Sequence, residues 1–483
     1  MKKYILAIGV LSLLSVTSCN ESELELGPYN SVTTSQAFDT PADFDNAARG
    51  MYSRNLPIVN LSGLAGGSYY GGSFISLPDV LADNAIISRT GRLSNRFFHE
   101  WRYTADGAWD LWTQGYSSIR RANGILANID KLTAGVAKDN ARGEALAVRA
   151  LAHFDMVRLY GKGFVQASES DLGVPFVTSI DPSLKPARET VKSNYQKIEA
   201  DLLEATKLVG TGNGIYRFNK SSAFALLSRL YLYNQQWQKC VDAATESLKL
   251  SSSPGSITNF AAIWKDASND GVLLKLQVVD KDALSPGVEY SQSSASGVRS
   301  EYVIDFDFLQ LYKSNDVRRN AYVGSSTFGG FKYNNVIKYF GRATGNANVV
   351  DPKVLRVAEV LLNRAEALAQ LNKDADALKD LNALRAARYT GFVAADNQET
   401  GTALKKEIDL QRRLELAFEG HRFFDLKRKG LPVNRSTKGD RFDGTGLTYV
   451  FKTLEATDFR FQLPLPTNEI RTNTNIVQNP GGY

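Results

Sequence analysis

Residues 404–430, which read LKKEIDLQRRLELAFEGHRFFDLKRKG, constrain the fold more than any other stretch of the chain. Their apolar positions recur at helical spacing, so one face of the stretch can be buried. Gly420 and Gly430 predict helix ends, because glycine readily adopts the conformations that terminate a helix. Polar residues fall on or beside the apolar positions, so we expect a structural joint in which ion pairs fix how elements meet. The candidate members of this joint are Arg412, Arg413, Glu415, Glu419, His421, Arg422 and Asp425.

The N-terminus predicts an exported, lipid-anchored protein. Two lysines precede an apolar run at 4–16 that is too short to span a bilayer and suits a signal peptide. The run ends in Val-Thr-Ser-Cys, which resembles a bacterial lipobox, so Cys19 is the expected site of lipid attachment. An ordinary secretory peptide with a chance cysteine is the alternative. We expect a lipoprotein signal peptide at 1–18 and a lipid-anchored tether at 19–30.

Composition excludes several classes of function. The formal net charge of +6 over 483 residues is small, and no basic run exceeds the Lys-Arg-Lys at 427–429, so no nucleic-acid partner is expected. The three histidines and Cys240 are scattered, without the HExxH or Cys-x-x-Cys spacing of a zinc site. We therefore expect no zinc site, and we assign His153, which lies in an apolar helical stretch, to the core. Whether a structural metal ion is bound is left open.

Long amphipathic helices predict a mainly α fold. Residues 219–250 and 356–387 each place alanines where two helices approach, followed by a turn and a second amphipathic helix. This pattern resembles tetratricopeptide repeats of about 34 residues, but the units are scattered, so a simple solenoid is not expected. Residues 251–350 are rich in Ser, Pro and Gly and carry only short alternating runs, which indicates few and short strands.

We expect one domain over residues 31–483, after the tether. Its parts are an N-terminal helical part at 31–250 with a long loop at 61–105, an irregular region at 251–350, and a C-terminal helical part with a tail at 351–483. The loop, the irregular region and the tail are expected to form one loop-rich face on the helical scaffold. Binding sites usually lie on loops that a rigid scaffold holds in place.

Several motifs resemble those of the SusD/RagB family of outer-membrane nutrient-binding lipoproteins. RRLELAFEGHRFFDLKRKG is similar to the C-terminal hallmark of that family. Further family-like motifs follow the expected order, namely VRALAHFDMVRLYGKGF, NDVRRNAY, VLRVAEVLLNRAEALAQ, and LPLPTNEI with NIVQNPG. The resemblance implies a SusD-like fold and a lipoprotein on the outer-membrane surface that captures a glycan or another large nutrient. It also implies a SusC-like TonB-dependent transporter as partner, for which the protein serves as a lid, with no cofactor and no covalent chemistry.

Sugar binding requires aromatic rings that stack on pyranose faces and polar side chains that bind hydroxyl groups. Residues 69–103 offer both kinds, and the resemblance adds two residues of the later irregular region. The alternative is that the rings anchor the loop to the helices, while Trp109, Trp112 and Tyr116 follow a helical stripe and are assigned to the core. The expected ligand contacts are Tyr69, Tyr70, Asp83, Asn84, Arg89, Arg92, Trp101 and Tyr103, joined through the resemblance by Tyr290 and Arg299.

These features favour capture of an oligosaccharide or polysaccharide, without catalysis. A non-sugar nutrient such as peptides, bound on the same scaffold, is the first alternative, and an adaptor with no ligand of its own is another. A surface glycosidase would need two carboxyl groups about 5 to 9 Å apart. Asp79 and Asp83 would share a face if both lay on one helix, but surface and capping roles account for such pairs more often.

Overall fold

The computed structural model describes residues 36–53, 62–282, 284–342 and 345–483. The predicted signal peptide, Cys19 and the tether lie outside these residues. Within them, no helix combines the length and the apolar character that crossing a membrane requires. The fold is mainly helical with short strands, as the sequence predicts.

Sixteen α-helices lie in the described residues, and consecutive long helices pack against each other. In chain order they are α1 Pro41–Tyr52, α2 Ser73–Val80, α3 Arg96–His99, α4 Leu111–Asn128, α5 Val136–Tyr160, α6 Val191–Leu208, α7 Lys220–Tyr233, α8 Trp237–Leu250, α9 Phe260–Ile263, α10 Phe306–Leu309, α11 Val317–Tyr322, α12 Val357–Gln370, α13 Asp374–Ala386, α14 Gly401–Glu415, α15 Arg422–Lys429 and α16 Thr467–Thr472. The longest of them, α5, packs between α4 and α6 and is buried along most of its length.

Local sequence signals set where helices begin. Thr40 caps α1 through its side chain, Asp43 accepts a hydrogen bond from Thr40 N at 2.8 Å, and Pro41 occupies the first turn. Asn219 caps α7 in the same reciprocal way with Ser222. These bonds satisfy backbone N–H groups that the first turn of a helix leaves without partners.

Two helix hairpins, α7 with α8 and α12 with α13, form the tetratricopeptide-like part of the scaffold. Helix α12 packs against both α7 and α8, so the hairpins are neighbours in space although the irregular region separates them in sequence. The thiol of Cys240 shows how closely they approach, because it lies 3.3 Å from Ser228 O of α7 and 3.5 Å from Asn363 O of α12. Units that are scattered along the chain thus stack on each other.

Ten short strands lie in the described residues, most of them in the irregular region. They are β1 Ala85–Ile87, β2 Val272–Lys275, β3 Gln292–Ser294, β4 Gly297–Arg299, β5 Tyr302–Ile304, β6 Val323–Phe328, β7 Phe331–Val336, β8 Lys353–Arg356, β9 Val433–Asn434 and β10 Thr453–Leu454. An antiparallel sheet has the order β1-β5-β7-β6, and three further pairs join β2 to β8, β3 to β4 and β9 to β10. The pairing of β1 with β5 ties the loop at 61–105 to the irregular region.

The predicted joint is confirmed. Helix α14 leads into a tight turn that ends at Gly420, whose φ is +80°, and α15 ends at Gly430, whose φ is +62°. Buried Glu415 accepts hydrogen bonds from Arg356 Nη1 at 2.8 Å and from Arg388 Nε at 2.8 Å. These arginines end β8 and follow α13, so one carboxylate fixes how three elements meet. In the same region Arg412 pairs with Asp425, Glu419 with Lys338 and Arg356, and Arg413 and Arg422 with Asp83.

Candidate functional site

Tyr69 and Tyr70, expected on an exposed loop, lie in the core, and the structure corrects this prediction. Tyr69 is 0% and Tyr70 is 4% exposed, and their hydroxyl groups donate to Asp155 Oδ2 at 2.6 and 2.9 Å. Asp155 also pairs with Arg158, so two phenols and a guanidinium satisfy one buried carboxylate. The glycine-rich sequence permits this inward fold, because a Cβ at Gly71 would lie 2.1 Å from a backbone oxygen.

The loop at 61–105 is more ordered than predicted, since α2, β1 and α3 lie within it. Three further candidate rings point inward and act as anchors, which is the alternative that the sequence left open. Trp101 and Tyr103 donate hydrogen bonds to backbone carbonyls, and Tyr290 is 1% exposed. Because none of these three rings is more than 4% exposed, they do not offer a face to a ligand.

Asp83 and Asn84 are also internal, and their partners include the arginines of the joint. Asp83 accepts a hydrogen bond from Arg422 Nε at 2.7 Å and lies 3.2 Å from Arg413 Nη2. Burial raises the pKa of Asp83, but the charges of Arg413 and Arg422 outweigh it and lower the pKa to about 2. Asn84 donates to Asp79 Oδ1 at 2.8 Å and accepts from Arg413 Nε at 2.8 Å. Asp79 and Asp83 are therefore structural groups and not a carboxyl pair open to substrate.

Arg89, Arg92 and Arg299 remain at the surface, and the structure brings them together. Arg89 and Arg92 lie on the loop at 88–95, and Arg299 Nε donates to a backbone carbonyl of that loop at 3.2 Å. Arg92 Nε donates to Glu301 Oε1 at 2.6 Å, while its side chain is still 42% exposed. Arg89 and Arg92 are thus exposed on this loop, and half-buried Arg299 contacts the loop from β4.

Two carboxylates that flank β3 and β4 in sequence, Glu289 and Glu301, accept hydrogen bonds from the loop at 88–95. Glu301 accepts a hydrogen bond from Ser94 N at 3.1 Å, and Glu289 accepts one from Asn95 Nδ2. Burial raises the pKa of Glu289 to about 7. These bonds hold the loop, and the arginines on it, in a fixed position.

The sequence analysis missed the aromatic residues of this surface. Phe328 ends β6, Phe331 begins β7, and the two residues pair directly across the strands. Gly329 and Gly330 form the turn between them with φ values of +57° and +80°, as a type I′ turn requires. A Cβ at Gly329 would lie 2.9 Å from Thr90 Cγ2, so the turn packs against the loop that carries the arginines. The Phe-Gly-Gly-Phe sequence between two alternating runs is the signal that could have found this hairpin.

Phe442 adds a third ring beside the hairpin. Its backbone N donates to Lys332 O at 2.9 Å, and the residue is 43% exposed. Lys332 Nζ lies 3.9 Å from the centroid of the Phe442 ring, and the guanidinium of Arg441 lies 4.0 Å from that of Phe331. We call this surface the hairpin face. It comprises residues 88–95, Arg299, residues 327–332 and residues 440–443.

The hairpin face combines two kinds of side chain that recognise sugars. Partly exposed aromatic rings can stack on the apolar face of a pyranose. Fixed guanidinium groups can donate to hydroxyl or carboxylate oxygens in set directions. The irregular region and the loop at 61–105 do meet on one face, as predicted, but Phe328, Phe331 and Phe442 replace the tyrosines and Trp101 as its rings.

A second candidate site is a cleft of about 400 Å³ on the helical side of the molecule. Trp237 of α8, Gln370 of α12 and Lys405 of α14 are among its lining residues. This volume lies in the range of small-molecule sites. The buried carboxylate of the cleft, Glu366, is matched by Arg428 at 2.7 Å.

In the described part of the chain, no group of three or more His, Cys, Asp or Glu side chains is arranged to hold a metal ion. His153 is a satisfied core residue, as predicted, because Nδ1 lies 3.0 Å from Arg149 O and Nε2 accepts from Val177 N at 3.1 Å. Burial lowers the pKa of His153 to about 3. Trp109 and Trp112, also assigned to the core, are 4% and 3% exposed.

Two family models together match most of the chain. The model described as "Starch-binding associating with outer membrane" matches residues 28–232. The model described as "SusD family" matches residues 255–483. The first match ends within α7 and the second begins in the irregular region, so both helical parts and the hairpin face are included.

Individual proteins resemble the chain over nearly its whole length. SusD-like protein P38 of Formosa agariphila is 25% identical over 90% of this chain and 93% of the relative. SusD-like protein P2 of the same organism is 25% identical over 100% of both chains. A solved structure, a putative sugar binding protein from Bacteroides vulgatus, superposes with a TM-score of 0.80 at 27% identity, over 92% of this chain and 100% of that chain.

Proposed function

The chain belongs to the SusD family, and on that basis we propose that it is a cell-surface binding protein that captures an oligosaccharide or polysaccharide. The observation that carries the proposal is the hairpin face, where exposed Phe442 and half-buried Phe328 and Phe331 lie beside arginines held in place by protein groups. Stacking on sugar rings and hydrogen bonding to hydroxyl groups need these side chains. The sugar-binding protein from Bacteroides vulgatus and the starch-binding description of the N-terminal family model support the same ligand class.

Titration calorimetry against a panel of polysaccharides and their oligomers tests this proposal. We expect Phe442→Ala and Phe331→Ala each to weaken binding about five- to thirtyfold, because a lost stacking contact is worth about 1 to 2 kcal/mol. Phe459→Ala is a matched control, since Phe459 is 40% exposed but lies outside the hairpin face. Full affinity in both face variants would refute the proposal. Tyr70→Ala and Trp101→Ala are unsuitable, because these buried rings support the fold.

We propose that the protein binds its ligand without cleaving it. Glu289 and Glu301, which lie beside the loop at 88–95, accept hydrogen bonds from residues of that loop. Thin-layer chromatography of each titration mixture should therefore show the polysaccharide unchanged. Breakdown products would favour a glycosidase, and heat from peptides alone would favour a non-sugar nutrient.

We further propose that a lipid on Cys19 anchors the protein to the outer membrane, exposed at the cell surface. The lipobox-like Val-Thr-Ser-Cys sequence and the outer-membrane description of the N-terminal family model support this location. Cys19→Ala should abolish labelling by radioactive palmitate and shift the protein from the membrane fraction to the soluble fraction. An unlabelled variant that stays with the outer membrane would refute the anchor.

Delivery of the captured glycan to a SusC-like TonB-dependent transporter is the last part of the proposal. Membership of the SusD family supports it, and the helical side of the molecule is the proposed contact. In this arrangement the protein is a hinged lid whose opening admits the ligand. A disulfide engineered between lid and transporter should stop uptake until a reductant is added. Normal uptake with the disulfide formed would rule out the lid.

A further inference from the structure

The hairpin face carries cations that have no ionic partner in the described part of the chain. Among the described residues, Arg89, Arg299, Lys332 and Arg441 form no ion pair. Arg89 and Lys332 are exposed, and Arg299 and Arg441 are half-buried. Arg299, Lys332 and Arg441 each lie over an aromatic ring, as Lys332 does over Phe442. Arg299 also donates to a backbone carbonyl. Neither kind of contact neutralises a full positive charge.

The carboxylates of the same surface are engaged with other groups. Glu301 pairs with Arg92 at 2.6 Å, and Asp440, which is 2% exposed, accepts backbone hydrogen bonds at 2.8 and 2.7 Å. Asp443 accepts hydrogen bonds from Thr445, which are the main cause of its lowered pKa. The charge of Arg441 contributes less to that shift. In formal charge, the four cations without an ion pair outnumber Asp440 and Asp443 by two, so the surface has a net positive charge around its aromatic rings.

On the helical side of the molecule, several charged groups are matched in pairs. In the cleft on the helical side, Arg428 pairs with Glu366 and Lys429 pairs with Asp409. One unpaired lysine on a surface is ordinary and indicates nothing. Here four cations without an ion pair among the described residues lie on adjoining segments, three of them over aromatic rings, and this grouping indicates a ligand that brings negative charge.

We infer that the hairpin face takes an acidic polysaccharide, one that carries uronate carboxylates or sulfate groups. The inference rests on the proposed function and adds to it the charge of the ligand. Guanidinium groups bind carboxylate and sulfate oxygens through pairs of N–H donors, while the rings stack on the sugar. Because the cations are at the surface, salt should weaken the binding.

Matched polysaccharides test the charge of the ligand. The mature chain, kept with its lipid in detergent, is titrated with polygalacturonate, which carries only carboxylates, and with carrageenan, which carries only sulfates. Methyl-esterified polygalacturonate and agarose are the uncharged counterparts, and polyglutamate is a polyanion without sugar. We expect at least one acidic polysaccharide to bind ten times or more tighter than its uncharged counterpart. Its affinity should fall between about 0.05 M and about 0.5 M NaCl.

Three double variants test where on the molecule the acidic polysaccharide binds. Lys332→Gln with Arg441→Gln should weaken binding of the acidic polysaccharide about tenfold or more, because a hydrogen bond to a charged group is worth about 1.5 to 3 kcal/mol. Lys207→Gln with Lys406→Gln removes the same charge from the exposed surfaces of α6 and α14, outside the hairpin face, and should leave the affinity unchanged. Lys332→Arg with Arg441→Lys keeps the charge and should retain most of the affinity, which separates loss of charge from loss of fold.

The outcomes separate this inference from the proposed function. If an uncharged polysaccharide binds as tightly as its acidic counterpart and Phe442→Ala weakens both, the inference is wrong and the proposed function stands. If polyglutamate binds as tightly as any acidic polysaccharide, the face recognises charge alone and the inference is wrong. If no polysaccharide of either kind binds, the proposed function fails together with the inference.

Discussion

Asp79 is a buried carboxyl group whose ionisation the fold opposes. It is 0% exposed, and burial raises its pKa from 3.8 to about 7, although Asn84 donates a hydrogen bond to it. The folded protein therefore keeps a proton on Asp79 at pH values where the unfolded chain has released it. The stability that this group contributes is fully present below pH 3.8 and is lost as the pH rises to about 7.

We predict that Asp79→Asn removes this dependence, because asparagine is neutral and keeps an oxygen for Asn84. The melting temperature of the wild type should fall relative to that of the variant as the pH rises from 5 to 7. The difference in unfolding free energy should change by up to about 1.4 kcal/mol per pH unit. Asp106→Asn, at an exposed aspartate, controls for loss of a carboxylate. A difference in melting temperature that stays flat across this range would contradict the prediction.

The burial and pairing of single residues could be predicted where the neighbouring sequence determines their environment. The polar residues of 404–430 lie among apolar ones, so burial and pairing followed directly, and Glu415 and Asp425 are paired. Whether an aromatic ring points into the core or towards solvent could not be predicted, because it depends on partners that are distant in sequence. Tyr69 points inward because Asp155, 86 residues away, accepts its hydroxyl group. No local pattern distinguishes such a tyrosine from one that faces a ligand.

At the scale of elements, the turn between α14 and α15 requires glycine for two reasons. Gly420 has φ +80°, and a Cβ there would lie 2.5 Å from Phe74 O. Gly391 has φ +73° but nothing within 4 Å of its Cβ position. Both positions therefore disfavour a side chain by conformation, and only Gly420 disfavours it by contact as well.

We predict that Gly391→Ala lowers the free energy of unfolding by about 1 to 2 kcal/mol, which is the cost of the left-handed conformation. Gly420→Ala should cost about 1 to 3 kcal/mol more, because the backbone of α2 would have to move. Urea unfolding of the two variants and the wild type measures both values. Equal costs at the two positions would show that the contact with Phe74 does not matter.

Elements were predictable to the extent that their signals are local. Helix α8 begins at Trp237 and ends at Leu250, as predicted, because its apolar spacing and flanking turns define it. The sheet in the irregular region was not predicted, since its short strands are stabilised by partners far along the chain. β1 lies about two hundred residues before its partner β5, and no periodicity within three residues can show this.

The whole molecule has contacts that cross every boundary between its sequence parts. β1 of the N-terminal part pairs with β5 of the irregular region, and Arg229 Nε lies 2.5 Å from Glu359 Oε1 of the C-terminal part. Asp83 pairs with Arg422 across the same two parts. One hydrophobic core contains residues from all three parts. We therefore propose that residues 31–483 form a single domain, as the sequence predicts.

A single domain predicts a single unfolding transition, and the joint provides the test. Glu415 is 0% exposed and accepts hydrogen bonds from Arg356 and Arg388, so Glu415→Gln leaves buried guanidinium groups without their counter-charge. We expect the variant to lose about 3 to 5 kcal/mol of unfolding free energy. Scanning calorimetry should show one peak in both proteins, shifted as a whole in the variant, because the three parts cannot lose the shared core separately. Glu246→Gln, in an exposed pair with Lys249, should leave the peak in place. Two peaks, of which Glu415→Gln moves only one, would show that the helical parts unfold independently.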